Sequence, residues 1–95
     1  MTKILNQLQN SLGYAFRESS LCIQALTHRS YSPSNNERLE FLGDAVLDLL
    51  ISELLYERYP LSPEGELSHM RAQAVCGDNL ATIGRELGIG ELLYL

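Results

Sequence analysis

Glu40 and Asp44 stand four residues apart in the stretch Asn36-Glu37-Arg38-Leu39-Glu40-Phe41-Leu42-Gly43-Asp44-Ala45-Val46-Leu47. On a helix that spacing places the two Cβ atoms about 5–6 Å apart on one face. Like charges so close repel by a few tenths of a kcal/mol when exposed, and by more when partly buried. A hard divalent cation turns the repulsion into a site, because Mg²⁺ takes oxygen ligands and is commonly held by one or two carboxylates together with water and substrate phosphate. The chemistry that matches is phosphodiester hydrolysis, with metal activating water and stabilising the leaving oxygen. The same spacing also describes a solvated acidic stripe facing an Arg or Lys, and spacing alone does not separate the two.

The element that must carry these carboxylates is a helix running on to Tyr59, where Pro60 stops it. It holds good helix formers with a single glycine inside, Gly43. At about 100° per residue, Glu37, Glu40, Asp44 and Asp48 form one narrow acidic stripe, with Asp48 at its periphery. Leu39, Leu42, Val46, Leu49, Leu50 and Leu54 lie opposite, and Phe41, Ala45, Leu47, Ile51 and Leu55 close round them. A helix apolar nearly all round predicts a central, buried element. Ser34 and Glu37 fit the S-x-x-E capping box at its start.

Around it the periodicity predicts an all-α fold in one small domain over residues 1–95. Leu5, Leu8 and Leu12 give a first helix ended by Gly13, and Ser19 or Ser20 caps a second, with Leu21, Cys22, Ala25 and Leu26 as its apolar stripe. Tyr31 to Asn35 is a loop by composition. Ser62-Pro63 reads as N-cap and first position of a helix carrying Leu67, Met70, Arg71, Ala74 and Val75 and ended by Gly77. Asp78 caps another, with Leu80, Ile83 and Leu87 on one face and Gly88 beyond. The apolar run Ile89 to Leu95 reads as a domain cut before completion, which predicts exposed core surface and aggregation.

The chain is 45% hydrophobic, which argues for a globular fold, and no run approaches membrane-spanning length. Cys22 and Cys76 lie far apart without zinc-type spacing, as expected of buried reduced thiols in a cytosolic protein. The formal net charge of −5 disfavours broad attraction to nucleic acid, so a polyanionic substrate requires cations at the site and basic surface from elsewhere.

The Asn36 to Leu47 stretch resembles the signature of the ribonuclease III family of double-stranded-RNA endonucleases. The similarity extends to Leu12-Gly13-Tyr14 with Phe16, to Ala25-Leu26-Thr27-His28-Arg29-Ser30-Tyr31, and to Leu67-Ser68 through Arg71-Ala72 with Val75. The resemblance implies the first part of that family's nuclease domain: an Mg²⁺-dependent enzyme (Mn²⁺ as a substitute), homodimeric and cytoplasmic, that cuts double-stranded RNA in the processing of ribosomal and other RNA precursors. It implies that Glu40 and Asp44 are catalytic metal ligands, that Glu37 and Glu64 line an acidic valley in support, and that Phe41 makes the dimer contact. Residue-level alternatives stand beside these roles: capping-box partner for Glu37, first-turn acid favoured by the helix dipole for Glu64, ordinary core for Phe41. His28 is expected to pack and hydrogen-bond rather than act as a base, and Arg71 to be a counter-ion of the acidic stripe in preference to a phosphate contact.

The family completes each metal site with an Asp and a Glu from a later Asp-x-x-Glu-Ala helix. Neither Asp78 nor Glu91 has that spacing, so these residues are expected to encode half a site, without the basic double-stranded-RNA-binding domain that many family members carry. The competing reading, from another class, is a non-catalytic RNA-binding or ribosome-associated module of the same fold. A third is a plain helical interaction domain.

Overall fold

Helix α1, Thr2–Leu12, buries Leu8 and half-buries Leu5, and ends where the spacing predicts. Gly13 adopts φ +65°, the left-handed conformation glycine takes at least cost, and the Tyr14 N–H donates to the Gln9 carbonyl at 3.2 Å, the six-to-one bond of a Schellman cap. Residues 2–95 are described by this computed structural model. Among them the regular structure is helical, with one isolated parallel bridge between Thr27 and Tyr94.

Helix α2, Ser19–Ala25, brings Cys22 and Leu26 onto Leu8. Leu92, from the 3₁₀ turn Ile89–Leu92, closes this small core, and Ile4, Leu5, Phe16, Ile89 and Tyr94 pack round it. The terminal apolar run is therefore partly used: Leu92 is buried and Tyr94 bridges to Thr27, while Leu93 and Leu95 stay exposed.

Helix α3, Glu37–Arg58, and helix α4, Glu64–Ala74, fold back on each other through the Tyr59 to Pro63 turn. The Arg71 guanidinium ties them by donating to Ser52 Oγ at 2.8 Å. Helix α5, Gly77–Glu86, returns the chain to the 3₁₀ turn, and Gly88 at φ +71° ends it. The radius of gyration is 15.5 Å, against about 12 Å for a compact chain of this length, because the α3–α4 hairpin projects from the core.

The expected burial of the central helix is not met in this chain: no residue of α3 is buried. At 22 residues it is roughly 33 Å long, while its one lengthwise neighbour, α4, has 11 residues. That neighbour half-covers Leu47, Ile51 and Leu55, on the same side as the acidic stripe. Leu42, Val46, Leu49, Leu50 and Leu54 remain exposed, and Phe41 is 82% exposed.

The predicted caps are displaced by one or two residues. Glu18, Pro63 and Cys76 hold the N-cap positions of α2, α4 and α5 with extended backbones, none bonding through its side chain. The hydroxyl and carboxylate residues proposed as caps sit one position before (Ser62) or inside the first turn (Ser19, Ser20, Asp78).

The cysteines also divide differently from expectation. Cys22 is buried, and burial pushes its thiol pKa up, whereas Cys76 is exposed. Thiolate character and access govern reactivity. Iodoacetamide at neutral pH should alkylate Cys76 and spare Cys22 in the folded protein; mass spectrometry showing equal labelling would contradict this core.

Candidate metal and phosphate site

The site forms where the end of α2 meets the start of α3. Thr27 closes α2 by donating its hydroxyl to the Ile23 carbonyl at 2.6 Å. The next turn is pinned from both sides: the His28 N–H donates to the Tyr94 carbonyl at 2.8 Å, and the Tyr31 N–H returns to the His28 carbonyl at 2.9 Å. His28 Nδ1 accepts from the Ser30 N–H at 3.1 Å and lies 2.8 Å from Ser30 Oγ. Its ring thus braces the turn, the hydrogen-bonding role expected of it.

Asn36 makes the junction. Its N–H donates to the Thr27 carbonyl at 2.9 Å, its Nδ2 to the Ala25 carbonyl at 3.0 Å, and its own carbonyl accepts from the Glu40 N–H at 2.8 Å. This role was not read from the sequence, although Asn is a common residue at helix entries. The capping box does not form. Asn35 Oδ1 takes the Glu37 N–H at 3.0 Å, the Ser34 N–H turns to Ser32 Oγ at 3.2 Å, and the Glu37 carboxylate points instead to Arg29 Nη1 at 3.3 Å. A short asparagine two residues earlier reaches the orphan amide, which frees the glutamate.

His28, Arg29, Asn36, Glu37 and Glu40 line an open cleft of about 280 Å³. Asp44 stands one turn further along α3, exposed like Glu40. Among the described residues neither Glu40 nor Asp44 has a cation within salt-bridge distance; the ion pair present is Arg29–Glu37. Two unpaired carboxylates on successive turns, open to water that can supply further oxygens, fit a hard divalent cation. The described residues bring together no third His, Cys, Asp or Glu that would finish a ligand set.

Glu64 lies elsewhere. It accepts from Ser68 Oγ at 2.8 Å and borders a separate cleft of about 210 Å³ with Ser52, Leu55, Tyr56 and Arg71. Leu55 is roughly 22 Å along the α3 axis from Glu40 at 1.5 Å per residue, so within one chain Glu64 does not join the Glu40 cleft. Arg71 is not the counter-ion of the acidic stripe either: its bond goes to Ser52, which faces α4. Asp48 is exposed beyond Asp44, peripheral to both clefts.

A helical hairpin with a carboxylate pair at its entry, held against a small core, makes this an all-α domain, and comparison with known proteins gives it a family. Residues 18–95 match the family model described as Ribonuclease-III-like. The chain is 52% identical over 94 residues to Ribonuclease 3 of Proteus mirabilis and 50% identical over 95 residues to Ribonuclease 3 of Pseudomonas fluorescens, covering 99% and 100% of this chain but 42% of each relative. Two structures of the nuclease domain of ribonuclease III from Campylobacter jejuni superpose with TM-scores of 0.92 and 0.90 at 44% identity, over 96% of this chain and 64% and 63% of those chains. One of them concerns flexibility in a region involved in dimer formation. This chain belongs to the ribonuclease III family, and it spans about two-fifths of the length of the curated relatives it matches.

If Glu40 and Asp44 hold a cation, the double variant Glu40→Gln, Asp44→Asn should lower Mg²⁺ affinity at least about tenfold in the full-length protein by calorimetric titration. It should leave the thermal midpoint unchanged or slightly raised, since a like-charge pair is relieved. Undiminished Mg²⁺ binding would remove the site.

Proposed function

We propose that this chain is the first part of the nuclease domain of a divalent-cation-dependent endoribonuclease that hydrolyses double-stranded RNA, serving the processing of ribosomal and other structured precursors. The observation that carries the reading is the Glu40–Asp44 pair, left without a counter-ion on α3, in a chain half identical to proteins named Ribonuclease 3. Mg²⁺, or Mn²⁺ in its place, would supply Lewis-acid stabilisation of phosphoryl charge and a water of lowered pKa. Glu40 and Asp44 would hold it, and their rigid one-turn separation on α3 would fix its place relative to the RNA strand. Further carboxylates, which the family resemblance implies in an Asp-x-x-Glu segment, would come from sequence outside these 95 residues. Recognition would rest on A-form shape and the phosphate backbone, because side chains do not read the deep, narrow major groove of RNA.

The working unit is a homodimer. Phe41, 82% exposed at the edge of the bare apolar face of α3, supports this, since patches of that kind mark association surfaces. If Glu64 lines the same acidic valley as Glu40, it does so from a second copy. A cytoplasmic location suits the two free thiols, one of them exposed.

The deciding experiment incubates the full-length protein with a perfect RNA duplex of about 30 base pairs, with Mg²⁺ or with EDTA. Cleavage of both strands to 5′-phosphate, 3′-hydroxyl products is expected with Mg²⁺ alone, and is lost in Glu40→Gln, Asp44→Asn. Binding without cleavage would favour the non-catalytic module. Phe41→Ala should weaken self-association about tenfold or more by sedimentation equilibrium, the loss of one large interface aromatic; an unchanged dimer constant would remove Phe41 from the interface.

A further inference from the structure

Arg29 is the one permanent cation among the described residues that line the Glu40 cleft. Its backbone is held by the bonds on either side of it. The His28 N–H is anchored to Tyr94, the Ser30 N–H to the His28 ring, the Tyr31 N–H to the His28 carbonyl, and the Thr27 carbonyl to Asn36. The side chain is nevertheless 70% exposed and makes a single bond, Nη1 to Glu37 Oε1 at 3.3 Å. A guanidinium has five N–H donors in a planar fork suited to phosphate, so most of its capacity is unspent. Glu37, itself 60% exposed, steadies the fork from the side and leaves the remainder facing the open cleft. An exposed pair of this kind contributes well under about 1 kcal/mol to folding, so stability does not account for so firmly built a turn.

We infer that Arg29 is a substrate-positioning residue: its guanidinium binds a backbone phosphate of the RNA strand that lies across the Glu40–Asp44 pair, and Glu37 orients it. The inference rests on the nuclease reading and adds to it the residue that offsets repulsion between an acidic cleft and a polyanion, in a chain of net charge −5. The chemistry requires no proton from Arg29. Its contribution is to binding and alignment of the strand.

The test uses the full-length protein, duplex RNA and Ca²⁺ in place of Mg²⁺ for equilibrium binding, with Mg²⁺ kinetics run in parallel. Arg29→Gln should weaken duplex binding about three- to tenfold and reduce the slope of log K against log salt by about one per chain. KM should rise more than kcat falls, and Arg29→Lys should recover the salt slope. The loss should persist when Arg29→Gln is made in a Glu37→Gln background. If it vanishes there, Arg29 merely neutralises Glu37 and the inference fails. It fails equally if affinity and salt slope are unchanged in an enzyme that still cuts duplex RNA. A wild-type protein that binds Mg²⁺ and cuts no duplex overturns the nuclease reading, and this inference with it.

Discussion

The structure hinges on the few hydrogen bonds that join Thr27, Asn36 and Tyr94. They lock the end of α2, the last residues of the chain and the entry of α3 into one junction, with the Asn36 and Tyr94 amides donating to the Thr27 and Leu26 carbonyls at 2.9 Å each. The core of Leu8, Cys22, Leu26 and Leu92 lies behind this junction and the carboxylates in front of it. The other route from core to hairpin runs through α4, α5 and the 3₁₀ turn, several elements in series. Removing the Asn36 side chain would leave the Ala25 carbonyl without that donor and loosen the direct route.

The second constraint is the surplus of apolar surface on α3. Burial is worth roughly 25 cal/mol per Å², and this helix leaves Leu42, Val46, Leu49, Leu50 and Leu54 largely uncollected. The half-covered residues Leu47, Ile51 and Leu55 lie on the acidic side, beneath α4, so hairpin packing and the carboxylates share one side while the bare leucines occupy the other. Glu40 and Asp44 stay wet because α4, at 11 residues, covers only part of that side, while the opposite hydrophobic flank is bare. The one apolar-rich helix thereby carries both the acidic pair and the bare apolar flank.

Charge is distributed with the same economy. The cleft pairs one carboxylate, Glu37, with Arg29 and leaves Glu40 free. The second arginine in question, Arg71, is engaged with a serine and so stitches the hairpin without quenching the acidic stripe. An Arg placed against Glu40 or Asp44 would compete with any cation for their oxygens; placed one turn away, it leaves them open.

The sequence by itself determined the helices, their approximate ends at Gly13, Pro60 and Gly88, the i, i+4 carboxylate pair and the family, because these depend on local periodicity, backbone-restricted residues and a contiguous motif. It did not determine which residue occupies each cap, since several neighbouring polar side chains can reach the same amide and the turn geometry chooses, as Asn35 does over Ser34. Nor did it determine that α3 is bare on its leucine flank, that Glu64 borders a different cleft from Glu40, that Arg71 bonds Ser52, or that Arg29 meets Glu37. Those are relations between elements, set by how the hairpin and the junction place one helix against another, and a pattern written along one chain axis carries no distance across it.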